Sequence, residues 1–233
     1  LKKSVRYKRA SGYFNVESLI SVSAGLEGLI DGSGHVQLLI GMHDLSEDLV
    51  NAQELALEEG IEQDAGKRLK SIIESIGSLG DALKLRRLET LADLISGGFL
   101  KIRLARPVNS RTSFIFHIKR FVLEDDFGDY ICATGSPNET FAGGNGNYEE
   151  LSTFKSWDDT TGHAEALRTK FDSLWNGQAS DLEIYQLSEV EHSMLESAIR
   201  KRSSTFPHDD ENSERSDNFI NSLQSFIPGK PFM

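Results

Sequence analysis

The stretch FIFHIKRFVLEDDFGDYICATGSPNET, residues 114–140, determines the interpretation of this chain. Aromatic and β-branched residues stand on both sides of a polar, glycine-containing DDFG segment, which predicts two strands joined by a tight loop. Side chains alternate between the two faces of a strand, so His117 and Lys119 are expected on the same face, about 7 Å apart along it. The sequence therefore predicts a hairpin with a histidine and a lysine side by side.

The length of the loop sets which residues face one another across this hairpin. If DDFG, residues 125–128, is a four-residue loop, the second strand starts directly after it. The pairs expected from that register are Glu124 with Asp129, Lys119 with Thr134, and His117 with Ser136. This register places the following Gly-Ser-Pro-Asn turn next to the imidazole.

Such a cluster suits a phosphate group. A neutral imidazole at His117 can attack phosphorus, Lys119 supplies a positive charge, and Ser136 and Asn138 offer donors to non-bridging oxygens. Gly135 allows the backbone to approach the group closely. The alternative is a hairpin with a surface histidine and an ordinary turn, and the histidine alone favours that alternative.

Composition limits the class of protein. The chain has 233 residues, of which 38% are hydrophobic, so it can bury a core. Its one cysteine, Cys132, excludes an internal disulfide and fits a reducing compartment. No apolar run reaches the roughly 20 residues that span a bilayer. We therefore expect a soluble, cytoplasmic protein without a membrane partner.

The formal charge of −11 argues at first against a nucleic-acid partner. Residues 1–135, however, carry 17 basic and 19 acidic side chains, so that region is nearly neutral. Local basic patches there can still bind a phosphodiester, although solvated surface charges are an equal alternative. The weak candidates for nucleic-acid binding are Arg6, Lys8, Arg9, Arg103, Arg106, Arg111 and Arg120.

The chain alternates between helical and strand patterns, which predicts an α/β fold with a mixed sheet flanked by helices. Expected helices cover residues 16–30, 162–177 and 188–202, with two or three more helices in an insertion at about 45–96. Ser188 and Glu191 form a capping box for the helix at 188–202. Besides the hairpin, strands are expected at 35–42, 99–107, 150–157 and 182–187.

One domain is predicted over residues 1–202. Residues 203–233 begin with a polar, acidic stretch and are expected to be a flexible linker and tail. The chain starts with Leu in a basic, aromatic segment, and we expect it to be part of a longer protein, with processing of the chain as the alternative.

His117-x-Lys119, followed by Gly135-Ser136-x-Asn138, resembles one copy of the His-Lys-Asp signature of the phospholipase D superfamily, which includes metal-independent nucleases. RASGYFNVESLISVSAGLEGLI leading into VQLLIG is similar to the opening strand-helix-strand of phospholipase D-like domains in bacterial superfamily 2 helicases and some restriction enzymes. NYEELSTFKSW resembles the segment with an acidic residue that contacts the catalytic histidine, and Glu149 is the match. The family has Asp five residues after the Lys, where this chain has Glu124, an acid with a mainly structural role.

The resemblance implies an α/β/α sandwich and a two-step phosphoryl transfer through a phosphohistidine at His117, without metal or cofactor. Lys119, Ser136 and Asn138 hold the phosphate, and Glu149 supports His117. A complete site needs two signature copies and this chain has one, so a homodimer with both His117 side chains at its two-fold axis is expected. DNA is the expected substrate, and a helicase core is expected after the C-terminal IPGKPFM.

The second hypothesis is a catalytically weak or inactive module with the same fold, which binds DNA or mediates dimerisation for a helicase. The acidic surface and Glu124 favour it. A lipid-hydrolysing phospholipase and a plain structural domain are more distant alternatives.

Overall fold

The computed structural model describes residues 4–12, 14, 16, 20, 25–26, 28–29, 33–42, 60–77, 82–108, 116–135 and 150–204, with the side chains of 82–87 excepted. Its strands are β1 (Arg6–Ser11), β2 (His35–Gly41), β3 (Leu100–Pro107), β4 (Lys119–Glu124), β5 (Tyr130–Gly135), β6 (Leu151–Lys155) and β7 (Leu182–Gln186). Its helices are α1 (Ile61–Gly77), α2 (Ala82–Ser96), α3 (His163–Trp175) and α4 (Glu189–Ser203), and Ser156–Asp158 forms a 3-10 turn. Val16, Ile20, Leu26 and Leu29 are also helical and buried.

The seven strands form one mixed sheet in the order β6-β5-β4-β1-β2-β3-β7. Strands β1, β2 and β3 run parallel, while β4, β5, β6 and β7 pair antiparallel to their neighbours. The expected fold class, a mixed sheet flanked by helices, is confirmed. The first strand, β1, lies in the middle of the sheet and touches both β2 and β4.

Two hydrophobic cores lie on the two faces of this sheet. One core contains Leu38 and Ile40 of β2 together with the buried stripes of α1 and α2. The other contains Leu39 of β2 and the buried residues of α3, including Phe171. Because neighbouring β2 residues are buried on opposite faces, the strand has the continuous apolar sequence typical of a parallel strand covered on both sides.

Local sequence signals explain where several helices lie. Helix α1 buries Ala65, Leu69, Ile72 and Ile76, which are spaced to form one apolar stripe. Helix α4 begins at the expected capping box, in which the Glu191 amide donates to Ser188 Oγ at 3.3 Å and the Ser188 amide donates to the Glu191 carboxylate at 2.7 Å. Helices α1 and α2 confirm the helical region expected between β2 and β3.

The expected hairpin is present, but its register differs by one residue from the prediction. Glu124 pairs with Tyr130, not with Asp129, and Arg120, not Lys119, lies opposite Thr134. The pairing of Lys119 with Thr134 is therefore wrong, and the pairing of His117 with Ser136 depended on the same register.

A five-residue loop, 125–129, causes this shift. Asp125 Oδ1 accepts hydrogen bonds from the amides of Phe127 at 3.0 Å and Asp129 at 2.9 Å. The Asp125 amide also donates to the Asp129 carbonyl oxygen at 2.9 Å. Gly128 completes the loop with a left-handed φ of 86°.

Within the described ranges, no helix has both the length and the apolar character required to cross a bilayer. The predicted division into a domain at 1–202 and a tail at 203–233 stays a prediction, since residues 205–233 lie outside the described part of the chain.

Candidate active site

His117 lies just before β4, where the chain enters the centre of the sheet. Strand β4 starts at Lys119, which pairs with Ser11 at the carboxyl end of β1. The Gly12 amide donates to the Ile118 carbonyl oxygen at 2.9 Å, so contact with β1 continues past the last strand residue. This backbone contact fixes where the His117 side chain begins.

The His117 and Lys119 side chains are in contact, as their spacing in the sequence predicts. Lys119 Nζ lies 2.5 Å from His117 Nε2 and 3.1 Å from Nδ1. The imidazole is exposed and Lys119 is partly exposed. An ammonium group and an imidazole therefore meet at a place that solvent reaches.

This contact affects the protonation of the imidazole. Partial burial, and after it the positive charge of Lys119, lower the pKa of His117 below its ordinary value. At neutral pH the ring is therefore uncharged and carries a nitrogen lone pair. A neutral imidazole is the form that acts as a nucleophile.

The other predicted members of the site lie outside the described residues: Ser136, Asn138 and Glu149. Their approach to His117 stays a prediction. The described ends of that segment come close together, because a Cβ on Gly135 would lie 2.1 Å from the Glu150 carbonyl oxygen. Gly135 thus permits a tight backbone contact between β5 and the start of β6, while the close approach of its backbone to a phosphate stays a prediction.

Glu124 lies at the opposite end of β4 from Lys119. Its carboxylate accepts hydrogen bonds from Lys8 Nζ at 2.7 Å and from Arg6 at 3.1 Å. Lys8 Nζ also contacts the Asp172 carboxylate of α3 at 2.9 Å. The Glu124 and Lys8 side chains are 7% and 9% exposed, whereas Arg6 is 59% and Asp172 is 44% exposed. The ion-pair cluster that joins β4, β1 and α3 therefore has a buried centre and exposed outer members.

Charge and burial act in opposite directions on this carboxyl group. Burial alone would raise the pKa of Glu124, but the hydrogen bonds and charges of Lys8 and Arg6 outweigh burial and lower it below its ordinary value. Glu124 is therefore ionised at neutral pH. Its contacts join β4 to β1 and, through Lys8, to α3. The structural role that the resemblance implies for this acid stays a prediction.

Among the predicted nucleic-acid-binding residues, the two on β3 have intramolecular partners. Arg103 lies over the ring of Trp175, 4.4 Å from its centroid, and donates to the carbonyl oxygen of the same residue. Arg106 pairs with Asp64 of α1 and, at 2.6 Å, with Glu183 of β7. These contacts fix helices against the sheet.

The basic residues at the sheet centre are mostly buried. Lys8 is 7% exposed and Arg9 is 5% exposed, with the Arg9 guanidinium 6.0 Å from the Phe121 ring centroid. Burial argues against direct contact between these two residues and DNA. Arg120 is half-buried, and its Nε and Nη1 have no hydrogen-bond partner among the described residues. Arg111 lies outside the described residues.

Other reactive groups in the described part of the chain do not join His117. Burial, followed by the charge of Glu124, raises the pKa of Cys132 to about 12, so its thiol stays protonated and unreactive. The remaining described histidines contact neighbours as packing or helix-end residues: His35 stacks on Phe99, His163 stacks on Phe154, and His192 Nδ1 lies 3.0 Å from the Ser188 carbonyl oxygen. His43 and His208 lie outside the described residues.

A cleft of about 620 Å³ lies at the amino-terminal ends of the parallel strands β1, β2 and β3, beside Arg6, Lys8, Lys101 and Glu124. Arg6 and Lys8 are both paired with Glu124 there. The cleft is separate from His117 and Lys119, which do not line it.

Comparisons with known proteins give a limited result. No family model matches the chain, and no curated protein matches it. Among solved structures, phosphatidylserine synthase from Haemophilus influenzae is 14% identical with a TM-score of 0.42, and the match covers 85% of this chain and 40% of that one. A phospholipase D family member, Nuc, from Salmonella typhimurium is 17% identical with a TM-score of 0.36, over 79% of this chain and 84% of that one. This chain thus matches less than half the length of the synthase, and both TM-scores are low, so neither likeness bears on its activity.

Proposed function

We propose that the chain is a metal-independent phosphodiesterase domain of the phospholipase D-like type, which cleaves DNA through a phosphohistidine at His117. The observation that carries the proposal is the contact between an exposed, neutral imidazole and the Lys119 ammonium. A cation 2.5 Å from a nucleophilic nitrogen is near enough to contact a non-bridging oxygen once phosphorus is bonded to that nitrogen.

The reaction has two displacement steps. In the first, the His117 lone pair attacks phosphorus, a P–N bond forms, and the P–O bond to the leaving strand breaks. The leaving oxygen takes a proton from a second imidazolium, which becomes neutral. In the second, that neutral imidazole takes a proton from water, the resulting hydroxide attacks phosphorus, and the P–N bond breaks.

The second imidazole is proposed to be His117 of another copy of the chain, and the reaction requires one of the two rings to be protonated while the other is neutral. The remaining described histidines have the packing and helix-end contacts given above, and one signature copy supplies half of a site. A homodimer joins two halves at its symmetry axis, with Lys119, Ser136 and Asn138 holding the phosphate and Glu149 supporting His117. The domain is proposed to serve a helicase or restriction activity.

The test compares wild type with His117→Ala on plasmid and single-stranded DNA in the presence of EDTA. We expect wild-type cleavage to persist in EDTA and the variant to lose it. His163→Ala is the matched control, because His163 is an exposed histidine at the start of α3. Cleavage that survives His117→Ala, or that EDTA abolishes in wild type, would contradict the proposal.

The second candidate is a DNA-binding or dimerisation module with a silent site. The observation that favours it is Glu124, which stands where the superfamily signature has Asp and forms part of a structural ion-pair cluster. In this case Lys119→Ala would weaken DNA binding and flatten its salt dependence, while wild type would show no hydrolysis on any substrate.

A further inference from the structure

Two glycines lie packed against the backbone that carries His117. Gly12 follows β1, and Gly41 ends β2 beside it, at the carboxyl ends of these parallel strands. Both residues are buried. Neither has a left-handed φ, so the backbone conformation does not require glycine at either position.

Space, not conformation, is what requires a glycine at position 12. A Cβ there would lie 2.4 Å from the Phe116 carbonyl oxygen and 2.8 Å from the His117 Cα. Both obstacles are backbone atoms, which cannot rotate away as the end of a side chain can. An ordinary contact begins at 3.4 Å, so a Cβ would push the chain at Phe116 away by about 1 Å.

Gly41 holds Gly12 in place from the other side. A Cβ on Gly41 would lie 2.4 Å from the Gly12 carbonyl oxygen. The ends of β2 and β1 and the segment before β4 are thus stacked without a side chain between them. Lys119 is held separately, because it pairs with Ser11 within the sheet.

We propose that Gly12 is a positioning residue for the phosphoryl-transfer site, and that the Gly41–Gly12 stack sets the distance between His117 and Lys119. The inference rests on the proposed function for its catalytic consequence, but the distance is a property of the folded chain alone. A side chain at position 12 would move the His117 backbone while Lys119 stays with β1. A displacement near 1 Å costs on the order of a hundredfold in rate where reacting groups must be aligned.

The test uses Gly12→Ala and Gly41→Ala, with Gly66→Ala as the matched control. Gly66 lies on the exposed face of α1, and a Cβ there would meet nothing within 4 Å. Each variant is assayed with bis(p-nitrophenyl) phosphate in EDTA, and the His117 pKa is measured by NMR titration. Thermal unfolding establishes that each variant is folded.

We expect Gly12→Ala to lower kcat on the order of a hundredfold with KM nearly unchanged, since substrate binding does not require the same alignment. Its His117 pKa should rise toward the ordinary value as the imidazole leaves Lys119. Gly41→Ala should change both quantities in the same direction, and Gly66→Ala should change neither. A folded Gly12→Ala variant with wild-type kcat and wild-type His117 pKa would overturn the inference.

Three further outcomes bear on the inference. If wild type hydrolyses no phosphodiester, the proposed function fails, while a raised His117 pKa in Gly12→Ala still supports the positioning role. If Gly12→Ala does not fold, Gly41→Ala takes its place. If neither folds, wild-type NMR decides: a cross-peak between the Gly12 and His117 Hα protons supports the contact, and its absence overturns the inference.

Discussion

At the scale of single residues, the lysine beside His117 serves two purposes in the proposed reaction. After burial, its charge is the second cause that lowers the pKa of the imidazole before substrate binds, and in the proposed reaction the same charge contacts a phosphoryl oxygen afterwards. The sequence predicted that the two side chains share a face, because alternation along a strand is a local property. It did not predict that Gly12 would pack against the His117 backbone or that Gly41 would pack against Gly12, because β1 and β2 reach that position only through long-range pairing.

Lys119→Met tests whether the charge of Lys119 lowers the pKa of His117. Lys119 disfavours the charged imidazolium, so removing its charge should raise the His117 pKa part of the way to its ordinary value, with burial accounting for the rest. A higher pKa keeps the ring protonated to a higher pH, so the acid limb of the pH–rate profile should shift to higher pH.

NMR titration of His117 measures this change directly. Lys101→Met is the control, since Lys101 is an exposed lysine on β3 that lines the separate cleft. A His117 pKa that stays the same or falls in Lys119→Met would show that the charge of Lys119 does not act on the ring.

Glu124→Gln tests whether the ion-pair cluster around Glu124 stabilises the folded chain. Lys8, which is nearly buried, pairs with the carboxylates of Glu124 and Asp172, and the substitution leaves it with the Asp172 carboxylate. Because Lys8 keeps one carboxylate, losing the other should cost about 1–3 kcal/mol in free energy of unfolding. Glu74→Gln is the matched control, because Glu74 pairs with Lys70 at 3.8 Å in an exposed position, where a pair is worth about 0–1 kcal/mol.

The pH dependence of stability should differ between wild type and Glu124→Gln. The folded-state pKa of Glu124 is lowered, so its contribution is fully present above its ordinary pKa and is lost as pH falls through the lowered value. Denaturant unfolding at neutral and acid pH measures this: the difference between the two proteins should shrink in acid. If Glu124→Gln and Glu74→Gln lower the free energy of unfolding equally at neutral pH, the stabilising role of the cluster is contradicted.

At the scale of elements, local patterns predicted most helices and strands, and the hairpin shows where such prediction ends. The capping box located α4, an apolar, β-branched run located β2, and alternating apolar and basic residues closed by Pro107 located β3. The hairpin register was wrong by one residue because Asp125 captures two amides and lengthens the loop. The RYKR segment looked like a surface patch, yet its Lys8 and Arg9 are buried, because β1 takes a central place in the sheet.

Gly128→Ala tests the loop that sets this register. Gly128 has a φ of 86° with nothing within 4 Å of an added Cβ, so the substitution introduces backbone strain and no clash. The free energy of unfolding should fall by about 1–2 kcal/mol. Gly66→Ala in α1 should instead raise it by about 0.5–1 kcal/mol. Chemical denaturation measures both, and a Gly128→Ala variant as stable as wild type would show that the loop adopts another conformation.

At the scale of the whole molecule, the central sheet places the proposed nucleophile at the carboxyl end of β1 and the ion-pair cluster at its other end. Glu124 and Lys119 are the two ends of β4, so the strand that carries the reactive pair is tied to α3 at its far end. The ion-pair cluster and the proposed reactive pair therefore lie at opposite ends of the central strands. This separation means that substitutions at Glu124 and at His117 should have distinguishable effects.

The proposed dimer makes a quantitative prediction for mixed chains. If each active site needs His117 from two copies, mixed dimers of wild type and His117→Ala are inactive once subunits have exchanged. A tenfold excess of His117→Ala should then reduce the activity of a fixed amount of wild type to about a tenth. A tenfold excess of the active control His163→Ala should instead add activity in proportion to the total chain present. Sedimentation at micromolar concentration, with and without DNA, measures the association itself. A strictly monomeric protein in both states, or wild-type activity that ignores the excess of His117→Ala, would rule out a site shared between two copies.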